Sequence, residues 1–134
     1  MKKIAFALFA AFLMIGCDVG EDRPTVVVIG PVEDVTMAST YKVDSVSKIM
    51  IRYKRPSDCH IFNGFYYTAE DFQRNVAVQF AKLDEPNCQP DDTEYEIPLN
   101  FKPTAAGTYT FKFWNGRETD GTDTFIETEA IVGQ

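Results

Sequence analysis

Along most of this chain apolar and polar residues alternate one for one. The clearest stretch is Thr93–Phe101, where Tyr95, Ile97, Leu99 and Phe101 alternate with Glu94, Glu96, Pro98 and Asn100. Asn75–Leu83 sets Val76, Val78 and Phe80 against Ala77, Gln79 and Ala81. Val46–Lys54 places Ile49, Ile51 and Tyr53 on one face, and Thr108–Trp114 does the same with Tyr109, Phe111 and Phe113. Successive strand side chains point to opposite faces, so a period of two predicts antiparallel strands with one face on a core. Thr25–Ile29 is a β-branched run closed by Gly30-Pro31; Thr124–Val132 and the less regular Thr36–Val43 complete the set. About six to eight such strands in one domain predict an all-β, antiparallel sandwich. Pro98 has no amide proton to give a ladder, so its strand is expected at an edge or with a bulge. Helical spacing is confined to Thr68-Ala69-Glu70-Asp71, which has the form of a capping box. One turn of helix is expected there.

The segment Ile61-Phe62-Asn63-Gly64-Phe65-Tyr66-Tyr67 breaks the alternation, because five of its seven residues are large and apolar or aromatic. Phe65 and Tyr67 share one face and Tyr66 points to the other. Asn63-Gly64 makes either a tight turn or a bulge in a strand that pairs with 75–83. Either both faces of this segment are buried, or it carries an exposed aromatic surface. Trp114, on the face opposite Phe111 and Phe113, poses the same choice. Phe65, Tyr66 and Trp114 are therefore the candidate binding surface.

The first residues follow a different pattern. Lys2 and Lys3 precede Ile4–Gly16, which carries no charge. As a helix that segment would span roughly 20 Å, short of the roughly 30 Å hydrocarbon core of a bilayer. A basic end, a short apolar core and a small residue before a cut make a secretory signal. Leu13-Met14-Ile15-Gly16-Cys17 resembles the lipobox of bacterial lipoproteins, with Met14 where leucine is usual. The resemblance implies that residues 1–16 are a cleaved signal peptide and that acylated Cys17 starts the mature chain. It also implies a lipid anchor holding the protein to a membrane of the bacterial cell envelope, with the outer membrane expected. Residues 17–24 then form the lipidated cysteine and tether, and 25–134 the sandwich domain. Asp18, Glu21 and Asp22 resemble a surface-export signal of some gram-negative bacteria. Elsewhere an aspartate directly after the cysteine resembles an inner-membrane retention signal.

Charge and cysteine content narrow the partners. Removing Lys2 and Lys3 with the signal leaves 11 Lys and Arg against 20 Asp and Glu, a net charge of −9. Such a surface disfavours phosphate backbones, so no nucleic acid is expected as a partner. With Cys17 acylated, Cys59 and Cys88 remain, and an exported chain permits a disulfide between them. Closing that loop is worth about 3–4 kcal/mol on the chain-entropy argument. Two free thiols are the alternative. The chain has one histidine and no C-x-x-C, which gives a metal reading little to stand on.

Residues 105–111, Ala-Ala-Gly-Thr-Tyr-Thr-Phe, resemble the tyrosine corner of immunoglobulin-like domains. Gly107 and Tyr109 match that pattern. Ala105 stands where aspartate is common, and Phe111 where antibody domains have cysteine. The resemblance implies an immunoglobulin-like sandwich in which the Tyr109 hydroxyl bonds back to the backbone. Asp120-Gly121-Thr122-Asp123 has the look of a calcium-loop fragment, but its register differs from an EF-hand, and a solvated hairpin tip is expected. His60, beside Cys59, reads as a packing or surface residue. No nucleophile elbow, phosphate loop or paired carboxylates stand out, so no catalytic residues and no cofactor are expected. The expected function is a non-catalytic binding or accessory structural module, anchored by lipid and docking on another envelope protein. The alternative is a cell-surface glycan-binding module, because flat aromatics flanked by acids and amides suit sugar rings.

Overall fold

The alternating segments all become strands. The computed structural model describes residues 24–134; the signal segment, Cys17 and the tether through residue 23 lie outside the described residues. The strands are β1 Thr25–Gly30, β2 Asp34–Thr36, β3 Thr40–Lys42, β4 Ser47–Lys54 and β5 His60–Glu70. They continue with β6 Gln73–Leu83, β7 Glu94–Phe101, β8 Gly107–Arg117 and β9 Asp123–Gly133. There is no helix among the described residues.

Two sheets pack as a β-sandwich. The smaller is antiparallel, in the order β2-β4-β7. Pro98 sits opposite Met50 in β7, which pairs with β4 alone and is thus the expected edge strand. The larger sheet runs β5, β6, β8, β9, β3. Because β5 pairs along the whole of β6, the other edge of β6 is shared. β8 takes Gln73–Val76 and β1 takes Val78–Leu83. Two pairings, β6 with β8 and β3 with β9, are parallel, against the antiparallel arrangement expected throughout. Alternation records which face is buried and carries no information on strand direction.

The sheets meet through the predicted apolar faces. Ile49, Ile51 and Tyr53 of β4, with Leu99 and Phe101 of β7, face Val76, Val78 and Phe80 of β6 and Tyr109, Phe111 and Phe113 of β8. Phe101 bridges the layers edge-on, its ring 5.4 Å from Tyr109 and 5.0 Å from Phe111. Such edge-to-face contacts add to the stabilisation from area burial. The Tyr109 hydroxyl donates to the Ala105 carbonyl at 3.0 Å, pinning the chain as it enters β8. A side chain at Gly107 would meet the Phe72 ring at 2.8 Å, so glycine allows that ring to lie against Tyr109.

Two local expectations resolve. Asn63-Gly64 is a bulge: the β5–β6 register shifts between Phe62 and Phe65, and Gly64 has φ +92°. The expected helical turn at 68–71 is absent. Thr68–Glu70 continue β5, and Asp71-Phe72 form a two-residue hairpin loop with Asp71 at φ +48°. Asn75 Nδ2 donates to Thr68 Oγ1 at 3.0 Å, so Thr68 serves the ladder rather than a helix cap.

Cys59 and Cys88 are joined in a disulfide, Cα to Cα 5.5 Å. Leu83 donates to the Cys59 carbonyl at 2.9 Å, so the bond lies at the open end of the β5–β6 hairpin. Asp58 and Gln89 add a reciprocal pair: Asp58 N donates to Gln89 O, and Gln89 N to Asp58 Oδ1, both at 2.9 Å.

Candidate functional site

Residues opposite each other on a ladder share a face of the sheet. Tyr66 lies opposite Ala77, and Trp114 opposite Phe125. Val76 lies beside Phe113 in the parallel pair, so one step on Ala77 lies beside Trp114. Four strands thus carry one row, Tyr66–Ala77–Trp114–Phe125, on the outer face of the large sheet. Two residues along, the same strands carry Thr68, Asn75, Lys112 and Glu127. An aromatic row and a polar row therefore run side by side across β5, β6, β8 and β9.

Ala77 makes this a groove rather than a flat stripe. Its single methyl stands between two large rings, and a space of about 320 Å³ opens above it. Ile29 of β1 closes one side; Thr68, Asn75 and Asp123 give the polar lining. Tyr66 is 51% exposed and Phe125 38%, while Trp114 is half-buried. The apolar surface runs on through Val27 and Ile61, both exposed on the same face.

The Trp114 ring is held in place. Its Nε1 donates to Asp123 Oδ1 at 3.1 Å, and Arg117 Nε donates to the same oxygen at 2.8 Å. Arg117 first, and then the indole, hold the Asp123 carboxyl below the usual carboxylate range. Lys112 Nζ sits 4.7 Å above the Phe125 ring and 3.5 Å from Glu127 Oε1. In the polar row Gln73 Nε2 donates to Asn75 Oδ1 at 3.1 Å, completing a chain from Gln73 through Asn75 to Thr68.

Of the three residues expected on a binding surface, Tyr66 and Trp114 come together and Phe65 does not. Phe65 lies opposite Val78, on the inner face, and packs against the core with its ring 5.4 Å from Phe62. The bulge at Asn63-Gly64 lets Phe62 and Phe65 face inward together, and only Tyr66 of the segment turns out into the groove. Phe125, Ala77, Ile29 and Asp123 were not singled out in the sequence for this role. The parity of Thr124–Val132 does place Phe125 outward, but which strands flank it is a long-range matter. Asp123 serves Trp114 and Arg117, and Asp120 Oδ1 accepts from Thr122 N at 2.8 Å, as in a hairpin turn.

His60 braces a turn. It is buried, its Nδ1 lies 2.8 Å from Ser57 Oγ, and its ring meets Phe80 edge-on at 5.8 Å. Burial, with Lys82 nearby, lowers its pKa. Asp58, Cys59 and Cys88 form the one compact group of ligand-type side chains among the described residues. Both sulfurs are in the disulfide and Asp58 Oδ1 accepts from Gln89 N, so the group is already committed. Comparison with protein-family models, with curated proteins and with solved structures finds no match for this chain.

Proposed function

We propose that this chain is a lipid-anchored, non-catalytic binding module of the bacterial cell envelope. In this reading it is an immunoglobulin-like sandwich that binds through the outer face of its large sheet. The observation that carries the reading is the meeting of Tyr66 and Trp114, from β5 and β8, in one solvent-open groove. Exposed apolar surface of this extent on one face, rimmed by polar groups, is characteristic of interaction sites. The Tyr109–Ala105 bond supports the immunoglobulin-like assignment.

The anchor at Cys17 would set the orientation. Seven residues, 18–24, reach about 25 Å at full extension, so the domain stays close to its membrane. β1 starts opposite Leu83, at the end of the sandwich that carries the disulfide. That end would face the lipid, the Glu70–Gln73 hairpin would point away, and the groove would stand on the side wall. From there it meets other components of the envelope, protein or glycan, with the outer membrane the expected site.

Two measurements test this. Lipid labelling in cells should mark the wild type and spare Cys17→Ala; equal labelling of both removes the anchor. In pull-downs from envelope extracts, Tyr66→Ala and Trp114→Ala should each lose a partner held by the wild type while melting at nearly the same temperature. Recovery of the same partners by all three proteins would move the site elsewhere.

A further inference from the structure

We infer that the groove above Ala77 is a carbohydrate subsite, taking an uncharged sugar ring between Tyr66 and Trp114. This rests on the outer-face reading above and names its ligand. Two strand spacings separate the backbones of β5 and β8, about 10 Å, and Ala77 is the only side chain of the aromatic row between them. A pyranose has two apolar C–H faces and a polar rim of hydroxyls. Its C–H groups suit the negative faces of aromatic rings. The groove offers such rings on two sides and hydrogen-bonding groups on a third.

The hydrogen-bond inventory fits hydroxyls. Thr68 Oγ1 accepts from Asn75 and keeps its own proton to donate. Asn75 has used one amide proton and accepted one bond, so a second proton and a second lone pair remain. Both bonds to Asp123 fall on Oδ1, which leaves the acceptor sites of Oδ2. An apolar protein side chain could fill the space between the rings. It would also cover these polar groups without satisfying them, which disfavours it. A sugar ring satisfies both linings at once.

Electrostatic complementarity sets the ligand's charge. Among the described residues Asp123 is the only charged one lining the groove, and Arg117 neutralises it. Lys112, in the adjacent row, is paired with Glu127. Among the described residues no uncompensated cation lines the groove, and the mature chain's net charge of −9 repels polyanions. An uncharged glycan is the class that fits. The indole held by Asp123, itself held by Arg117, gives one wall fixed before binding, which lowers the ordering cost.

Trp114 is the single tryptophan of the chain, so its emission reports on this wall alone. The experiment titrates the full-length protein, in a polyoxyethylene detergent without a sugar head group, with neutral trimers of glucose, mannose and N-acetylglucosamine. A sulfated counterpart of the best binder is the charged control. The expected result is a saturable shift with at least one neutral trimer and none with the sulfated one. Tyr66→Ala and Ala77→Leu, which fills the groove from its floor, should each weaken binding roughly tenfold, about 1.4 kcal/mol. Asn75→Ala, which leaves the rings in place, should weaken it severalfold with an unchanged melting temperature. No saturable response to any neutral trimer, a preference for the sulfated one, or equal binding by all variants overturns the inference. If no trimer binds and Tyr66→Ala still loses an envelope protein in the pull-down, the groove docks protein and the outer-face reading survives. If neither assay responds, both fail.

Discussion

At the scale of single residues, one carboxylate, Asp91, ties the end of β4 to the start of β7 within the small sheet. Asp91 Oδ2 accepts from Arg55 Nε at 2.9 Å, Arg55 Nη2 at 2.6 Å and the Tyr95 hydroxyl at 2.8 Å, and Oδ1 accepts from Thr93 N at 3.0 Å. The Thr93 amide, then Tyr95 and Arg55, hold the Asp91 carboxyl well below its ordinary range. An unfolded aspartate titrates near pH 3.9, so the folded chain holds the charged form more strongly than the unfolded one. The resulting stability is fully present above about pH 4 and is lost as pH falls through the folded pKa. Asp91→Asn should therefore melt lower than wild type at neutral pH, and the gap should narrow steadily below about pH 4. Melting curves of both proteins from pH 7 to pH 2 measure it; a gap independent of pH would show that the Asp91 charge contributes nothing. None of this was legible beforehand, because Arg55 and Asp91 lie 36 positions apart and nothing local marks them as a pair. His60 was legible, since a lone histidine beside a disulfide cysteine has packing as its plainest role.

At the scale of elements, β5 shows what a two-residue period can and cannot tell. The period puts Tyr66 on the face opposite Phe65 and Trp114 on the face opposite Phe111 and Phe113, and leaves open whether those faces are exposed. It left Asn63-Gly64 open between turn and bulge, because both use glycine's access to positive φ. The bulge decides which aromatics face the core, and so removes Phe65 from the candidate surface. Gly64→Ala should cost about 1 kcal/mol, since no atom lies near the added methyl and the backbone at φ +92° supplies the whole penalty. Gly133→Ala, also in open space but without positive φ, should stay within about 0.5 kcal/mol of wild type. Urea unfolding of both variants checks this; equal stabilities would mean that the bulge relaxes without glycine. The missed turn at 68–71 has a related cause. Ser/Thr-x-x-acid spacing fits a helix cap and also the end of a strand entering a tight hairpin, and the apolar pattern ends too soon to separate them. Strand direction was missed for a different reason: β6 and β8 join in parallel through packing of distant segments, and the groove depends on those two strands being neighbours.

At the scale of the whole molecule, β6 ends in the large sheet and β7 begins in the small one, and residues 84–93 cross between them. That crossover has no strand of its own. It is fastened at Cys88 by the disulfide, at Gln89 by Asp58 and at Asp91 by Arg55. A disulfide between Cys59 and Cys88 is what the sequence leads one to expect once Cys17 is set aside; that it fastens this crossover depends on where distant strands pair. The crossover's other tethers are surface or half-buried hydrogen bonds that water and salt weaken, so the covalent bond should dominate. Cys88→Ser, or reduction of the wild type, should lower stability by about 3–4 kcal/mol, which corresponds to a fall in melting temperature of roughly 10–20 °C. The groove lies away from this end, on strands whose pairing does not involve 84–93. Below the new melting point, Trp114 emission should therefore match the wild type, and the binding proposed for Tyr66 should persist. Scanning calorimetry with and without reductant, followed by emission spectra at a temperature where both forms are folded, separates the two effects. A melting temperature unmoved by reduction would show that hydrogen bonding alone holds the crossover. A shifted Trp114 spectrum in the folded, reduced protein would show instead that the clamp at the disulfide end sets the shape of the outer face of the large sheet.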